Sequence, residues 1–145
     1  MNKLLALLST FFLVNFASAE MLTVTDVEKI GGVTGIHAVA KNQLPGAGGE
    51  LNFAGADNKL ILMVMVQPAS MFATWKQQYG AKGEAVAGLG TDAFRSRTGE
   101  FVSYVVFLKG NTGVWIQSMG WKKGGAANFT TAQLEALARV ALSHM

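Results

Sequence analysis

Apolar and polar positions along this chain recur at two different periods, and the change of period marks out its elements. Asp92–Gly120 predicts three consecutive strands, with turns at Thr98-Gly99-Glu100 and Gly110-Asn111-Thr112-Gly113. In the middle one, Phe101–Leu108, only Ser103 is not apolar, so the strand must be covered on both faces or lie inside the sheet. Lys59–Gln67 (KLILMVMVQ) has the same character. With Glu50–Ala54 and the Asp57-Asn58 turn before it, it predicts a hairpin. Gly35–Lys41 alternates weakly and predicts a further strand.

Three stretches carry the helical period. Leu22–Ile30 opens with Thr25 and Glu28 at capping-box spacing and stops at Gly31-Gly32. Pro68 suits the first position of a helix whose Met71, Phe72, Trp75 and Tyr79 share one face, with Gly80 as its stop. Thr130 and Gln133 form a second capping box, and Leu134, Leu137, Ala138, Ala141, Leu142 and Met145 then fall on one stripe. Glu135 and Arg139 stand at i, i+4 outside that stripe. Residues 42–49, 81–91 and 121–128 are loops by composition, and no internal repeat or interdomain linker interrupts the chain. The expected class is α+β. It comprises a single mostly antiparallel sheet of about six strands with helices packed on it, in the order α-β-β-β-α-β-β-β-α.

The first residues change the picture of where this domain works. Asn2 and Lys3 precede a mostly apolar run, Leu4–Phe16, and Ala17-Ser18-Ala19 has the small-x-small form of a cleavage site. Residues 1–19 are therefore expected to be a cleaved signal peptide, leaving residues 20–145 as one globular domain. The run is shorter than the ~20 apolar residues of a membrane span, and no transmembrane segment is expected after cleavage. It also lacks a cysteine for lipid attachment. The expected location is exported, with the periplasm favoured and full secretion as the alternative. The chain has no cysteine, so an exported form would hold its fold without disulfides. The formal charge of +3 includes Lys3 and is dispersed, which argues against nucleic acid as a partner.

Four segments together resemble a family of small exported bacterial domains, mostly uncharacterised periplasmic proteins and lipoproteins. They are LTVTDVEKIGG at the start, Gly88-Leu89-Gly90-Thr91-Asp92-Ala93-Phe94, the FLKGNTGVWIQ hairpin and the closing LEALARVAL helix. The resemblance spans about residues 22–142 and implies a PsbP-like α/β fold. Lipoprotein members begin with a cysteine that this chain lacks. The resemblance implies no catalytic motif to carry over.

Candidate chemistry is sparse. No Gly-x-Ser-x-Gly elbow is present, and His37 and His144 are the only imidazoles. Asp92 and Glu100 bracket a predicted hairpin near Arg95 and Arg97, a pattern that suits surface ion pairs better than a catalytic carboxylate pair. Gly88-Leu89-Gly90 has Ala93 where a dinucleotide fingerprint needs glycine, and an extended segment follows, so it is expected to be a structural turn. Met63 and Met65 share a strand face, where thioethers can hold Cu(I) but more commonly fill a core. No metal site, catalytic residue or cofactor is assigned.

The better binding candidates are aromatic. Trp121-Lys122-Lys123 puts a ring and two cations on a loop, and Trp75, Tyr79 and Trp115 would form an apolar wall if the second helix and the meander converge. The expected function is a non-catalytic binding or accessory module for an unidentified protein or envelope component. A small-ligand carrier, with an apolar pocket between helix 68–80 and the sheet, is the alternative, and a hydrolase the third reading.

Overall fold

A computed structural model describes residues 21–40, 49–100 and 102–145. The expected signal peptide, nearly all of the 42–49 loop and Phe101 lie outside the described residues. The elements run α1 (Val24–Gly31), β1 (His37–Ala40), β2 (Gly49–Ala54), β3 (Leu60–Pro68), α2 (Ala69–Tyr79), β4 (Glu84–Ala85), β5 (Asp92–Arg95), β6 (Tyr104–Lys109), β7 (Thr112–Ser118) and α3 (Thr131–Ser143). All strands join one antiparallel sheet in the order β1-β2-β3-β7-β6-β5-β4. Two meanders, β1–β3 and β4–β7, thus meet along β3–β7, and α2 carries the chain from one to the far edge of the other.

The sheet has seven strands rather than about six. The additional one, β4, is two residues long and lies inside the stretch expected to be irregular. It is held by cross-strand pairing, with Glu84 opposite Arg95 and a salt bridge of 3.2 Å between them. Two residues are too few to print a period-2 pattern. With β4 outside it, β5 is not an edge strand, and its Ala93 and Phe94 are buried.

α1 also begins differently. Its capping box is Thr23 and Asp26 rather than Thr25 and Glu28: the Thr23 N–H donates to Asp26 Oδ2 at 2.9 Å and the Asp26 N–H to Thr23 Oγ1 at 3.2 Å. The backbone hydrogen bond from Thr23 is the main reason that the Asp26 carboxyl titrates below its ordinary range. Pro68 ends β3 and caps α2 from outside it, and Gly80 stays right-handed, so the chain runs on through a 3₁₀ turn to Lys82. α3 matches its sequence pattern: the Thr130–Gln133 box closes in both directions, and Arg139 pairs with Glu135 at 2.9 Å.

α1 and α3 cover one face of the sheet. There Leu51, Phe53, Leu62, Val64, Val105, Phe107, Val114 and Ile116 pack against Val27, Leu134, Leu137, Ala138 and Ala141. Gly31 lets α1 approach Phe129, whose ring occupies the space where a Cβ would stand. Gln133 Nε2 donates to the carbonyls of Ile30 and Gly31 at 3.3 and 3.4 Å, so α3 satisfies the last turn of α1. Each fully buried apolar side chain contributes roughly 1.5–3 kcal/mol. The larger of the two apolar clusters lies on this face.

Among the described residues, α2 is the helix that packs on the opposite face. Phe72 and Trp75 pack on Phe94, Tyr104, Val106 and Trp115. Gly113 provides the seat, because a Cβ there would stand 2.9 Å from Phe72 Cβ. The helix is too short to cover the whole width, so β3, expected to be buried on both faces, is buried at Leu62 and Val64 but only half-buried at Met63 and Met65.

Candidate functional site

The place where α2 stops covering the sheet is an open aromatic groove. In an antiparallel sheet, residues in register share a face. Trp115 stands opposite Met65 and Val106, and Gln117 opposite Met63 and Tyr104. Over these two rows α2 brings Trp75 and, one turn later, Tyr79. The rings lock together: Trp75 meets Trp115 edge-on with centroids 5.5 Å apart, and Tyr79 meets Trp115 at 5.2 Å and Tyr104 at 6.2 Å. Tyr104 and Trp115 stack at 4.7 Å and 27°. Such pairs add about 0.5–1.5 kcal/mol each beyond burial.

Two lobes open on this floor. One, of about 410 Å³, is lined by Met65, Met71, Thr74, Trp75, Gln78, Tyr79, Trp115 and Gln117. The other, of about 480 Å³, is lined by Tyr79, Lys82, Glu100, Val102, Tyr104, Trp115 and Gln117. Tyr79, Trp115 and Gln117 belong to both. Three large apolar side chains that the fold leaves in solvent, Met71, Tyr79 and Val102, all sit on the walls.

Polar groups share the lining with the rings: Thr74, Gln78 and Gln117 in the first lobe, Lys82, Glu100 and Gln117 in the second. Trp115 Nε1 donates to Gln117 Oε1 at 2.9 Å. An indole N–H can only donate, so the amide oxygen must face it and the Gln117 NH₂ must point the other way. Among the described residues no hydrogen bond from that NH₂ is seen, and Gln117 lines both lobes. Burial, reinforced by the Glu100 carboxylate and Tyr79, pushes the Tyr104 hydroxyl above the ordinary tyrosine range, so it stays a neutral O–H. The lining of the first lobe carries no charge.

The structure brings together three of the residues expected from sequence, Trp75, Tyr79 and Trp115. Trp121, Lys122 and Lys123 are exposed on a separate turn, closed by a Trp121–Ala127 bridge and the Lys122 N–H to Ala126 carbonyl bond at 2.7 Å. Neither lobe is lined by them. Tyr104, Gln117 and Met71 carry no binding signal of their own in the sequence, because their convergence depends on cross-strand register and on where α2 crosses; Met65, a candidate thioether ligand with Met63, lines the first lobe. The one local clue is that Gln117 lies two residues beyond Trp115, on the same strand face.

The remaining candidates take bland positions. Asp92 pairs with Lys76, Arg95 with Glu84, and Glu100 accepts the Arg97 N–H at 3.2 Å, so the carboxylates of that hairpin each have their own contact. His37 is exposed on edge strand β1, and His144 Nδ1 lies 3.2 Å from the Met21 carbonyl oxygen. Gly88 and Gly90 take φ of 69° and 64° around buried Leu89, and Arg139 donates to the carbonyls of Gly88 and Ala87 at 3.0 and 3.3 Å. This is the structural turn expected. Among the described residues, no group of three or more His, Cys, Asp or Glu side chains gathers to hold a metal, and no helix is long and apolar enough to cross a membrane. No family model, curated protein or solved structure matches this chain.

Proposed function

We propose that this protein is a non-catalytic binding module whose contact site is the groove between α2 and strands β3, β7 and β6. The observation that carries the reading is the pair of adjoining lobes that share Tyr79, Trp115 and Gln117, with the Gln117 amide oxygen fixed by the Trp115 indole. Concave apolar surfaces with a few oriented polar groups are where ligands usually bind. Exposed Met71, Tyr79 and Val102 on the walls add apolar area that the fold itself does not use. Both lobes are open to solvent, which favours recognition of an exposed partner or envelope component over a carrier that encloses its ligand. The proposed setting is the periplasm, on the strength of the Leu4–Phe16 run and Ala17-Ser18-Ala19. The family resemblance belongs to the same proposal, and an antiparallel sheet with helices on both faces is compatible with a PsbP-like fold.

Affinity capture from the native compartment tests the site. Wild type is compared with a groove variant, Met71→Ser with Tyr79→Ala, and with a loop variant, Trp121→Ala with Lys122→Ala and Lys123→Ala. Partners lost with the groove variant and kept with the loop variant are the expected outcome. The reverse pattern moves the site to the Trp121 loop, and retention by both variants overturns the proposal.

A further inference from the structure

We infer that one rim of the sheet, where β4 and β6 begin and β5 and β7 end, docks on the anionic headgroups of a lipid bilayer. This goes beyond the groove, and neither reading depends on the other.

Cross-strand register assembles the rim. Glu84 lies opposite Arg95, Arg95 opposite Val105, and Tyr104 opposite Gln117, so residues 82–83, 96–97, 102–103 and 119–121 leave the sheet side by side. Neighbouring strands are about 4.8 Å apart, so these four segments fall within about 15 Å of one another along the rim. The Trp121 turn is pinned to it. Asn128 Nδ2 donates to the Met119 carbonyl at 2.7 Å, and Gly120 lies against the Leu60 carbonyl of the next strand.

Unpaired charge gathers at this rim. Lys82, Arg97, Lys122 and Lys123 stand on it, all exposed. None of them joins a salt bridge, whereas Lys59, Lys76, Arg95 and Arg139 are each paired. Among the described residues, the other lysines outside a salt bridge are Lys29 on α1 and Lys109 at the opposite end of β6. The carboxylates of the rim are Glu84, held by Arg95, and Glu100, which accepts the Arg97 N–H. Cations are therefore in excess here. The charge that is dispersed along the sequence is sorted by the fold.

Apolar side chains stand beside these cations. Among the described residues, Trp121 and Val102 are the two most exposed large apolar side chains, at 46 and 42 %. Val102 leads into β6 and Trp121 follows β7, so both lie on the rim. A soluble polyanion would engage the cations and gain nothing from an exposed indole and valine. A bilayer surface uses both. Anionic headgroups attract each nearby lysine or arginine, and tryptophan settles at headgroup level with its ring against the acyl boundary.

The test is vesicle flotation of residues 20–145, which contain every described element. Vesicles of phosphatidylcholine alone are compared with vesicles in which about a third of the lipid is phosphatidylglycerol. Trp75 and Trp115 are buried, so a blue shift of tryptophan emission reports Trp121. Flotation with the anionic vesicles only, accompanied by that shift, is expected. It should be lost at about 1 M salt, where the Debye length falls to about 3 Å, a measurement that needs no substitution. Each cation near an anionic leaflet strengthens binding about fivefold. Lys122→Ala with Lys123→Ala should therefore weaken it about 10- to 30-fold, while Lys109→Ala binds as wild type does. Trp121→Ala should weaken binding and remove the shift. Absence of flotation with anionic vesicles at low salt overturns the inference, as does equal flotation with the neutral ones. Equal weakening by Lys109→Ala overturns it too, because attraction would then be a property of the whole surface. A Trp121→Ala variant that binds as tightly as wild type assigns the cations to a soluble polyanion and overturns the bilayer.

Discussion

Gly113→Ala sets two opposing effects against each other at the seat of α2. Gly113 lies in β7 and is not among the glycines with positive φ, so its backbone suits alanine. Taken alone, the change should stabilise the fold by about 0.4–1 kcal/mol, because alanine has less freedom to lose from the unfolded state. The new Cβ, however, would stand 2.9 Å from Phe72 Cβ and 3.4 Å from Trp75 Cζ3. Phe72 cannot rotate its Cβ away, since that atom is fixed by the helix backbone, and its Cα is itself only 3.6 Å off. The helix must therefore lift by about 0.5 Å to bring the closest pair to the 3.4 Å of ordinary contact. A gap of that size forfeits about a quarter of the dispersion well for the contacts it opens, and overpacking a core typically costs about 1–3 kcal/mol. The net expectation is a loss of about 0.5–2 kcal/mol. In equilibrium urea unfolding followed by tryptophan fluorescence, at a slope of about 1.5 kcal/mol/M, that lowers the midpoint by roughly 0.3–1.3 M with the slope unchanged. An equal or higher midpoint would refute the argument, because it would show that α2 is not held at the distance Gly113 permits.

Two further expectations concern the same face of the sheet. Tyr104 ionises above the ordinary tyrosine range in the folded protein, whereas in the unfolded chain it ionises within it, so the unfolded state loses its proton first as pH rises. Stability should therefore be intact below the ordinary tyrosine value and decline as pH rises through the folded value; urea midpoints in alkaline buffers should show this, with the decline reduced in Tyr104→Phe. Asn52 is 1 % exposed; its Nδ2 donates to Glu50 Oε1 at 3.0 Å, but its Oδ1 has no partner. An unpaired buried acceptor costs about 1–3 kcal/mol, so Asn52→Leu should melt at the wild-type temperature or a few degrees higher, and a loss above ~1 kcal/mol would show that the amide is needed.

What the sequence made legible was whatever a single element encodes. α3 could be read outright, because its capping box, its apolar stripe and its Glu135–Arg139 pair all lie within a few residues of one another. Trp75 and Tyr79 could be assigned to one face of α2 for the same reason. Two structural corrections have a local origin: β4 is too short to show a period, and the cap of α1 forms at Thr23 and Asp26, two residues before the Thr25–Glu28 pair expected. The groove as a whole needed information that no single element carries. Tyr104 is a buried strand residue until the register places it opposite Gln117. Met65 and Met71 are ordinary core candidates until the helix axis brings them to one lobe. The Trp121 loop, prominent in composition, lines neither lobe.

The closing of the helical layer fixes how the molecule would be held. Met21, buried in the core on the α1–α3 side, lies 123 positions from His144 in sequence and yet meets it through the Nδ1–carbonyl contact. Chain entering at Met21 and chain leaving after α3 therefore join the domain at one place, behind the sheet as seen from the groove. A tether at either end, whether a fused tag, a surface linker or a bead, would present the groove outward. Joining the two ends and reopening the chain at Gly124-Gly125 should give a circular permutant with its aromatic lobes unaltered.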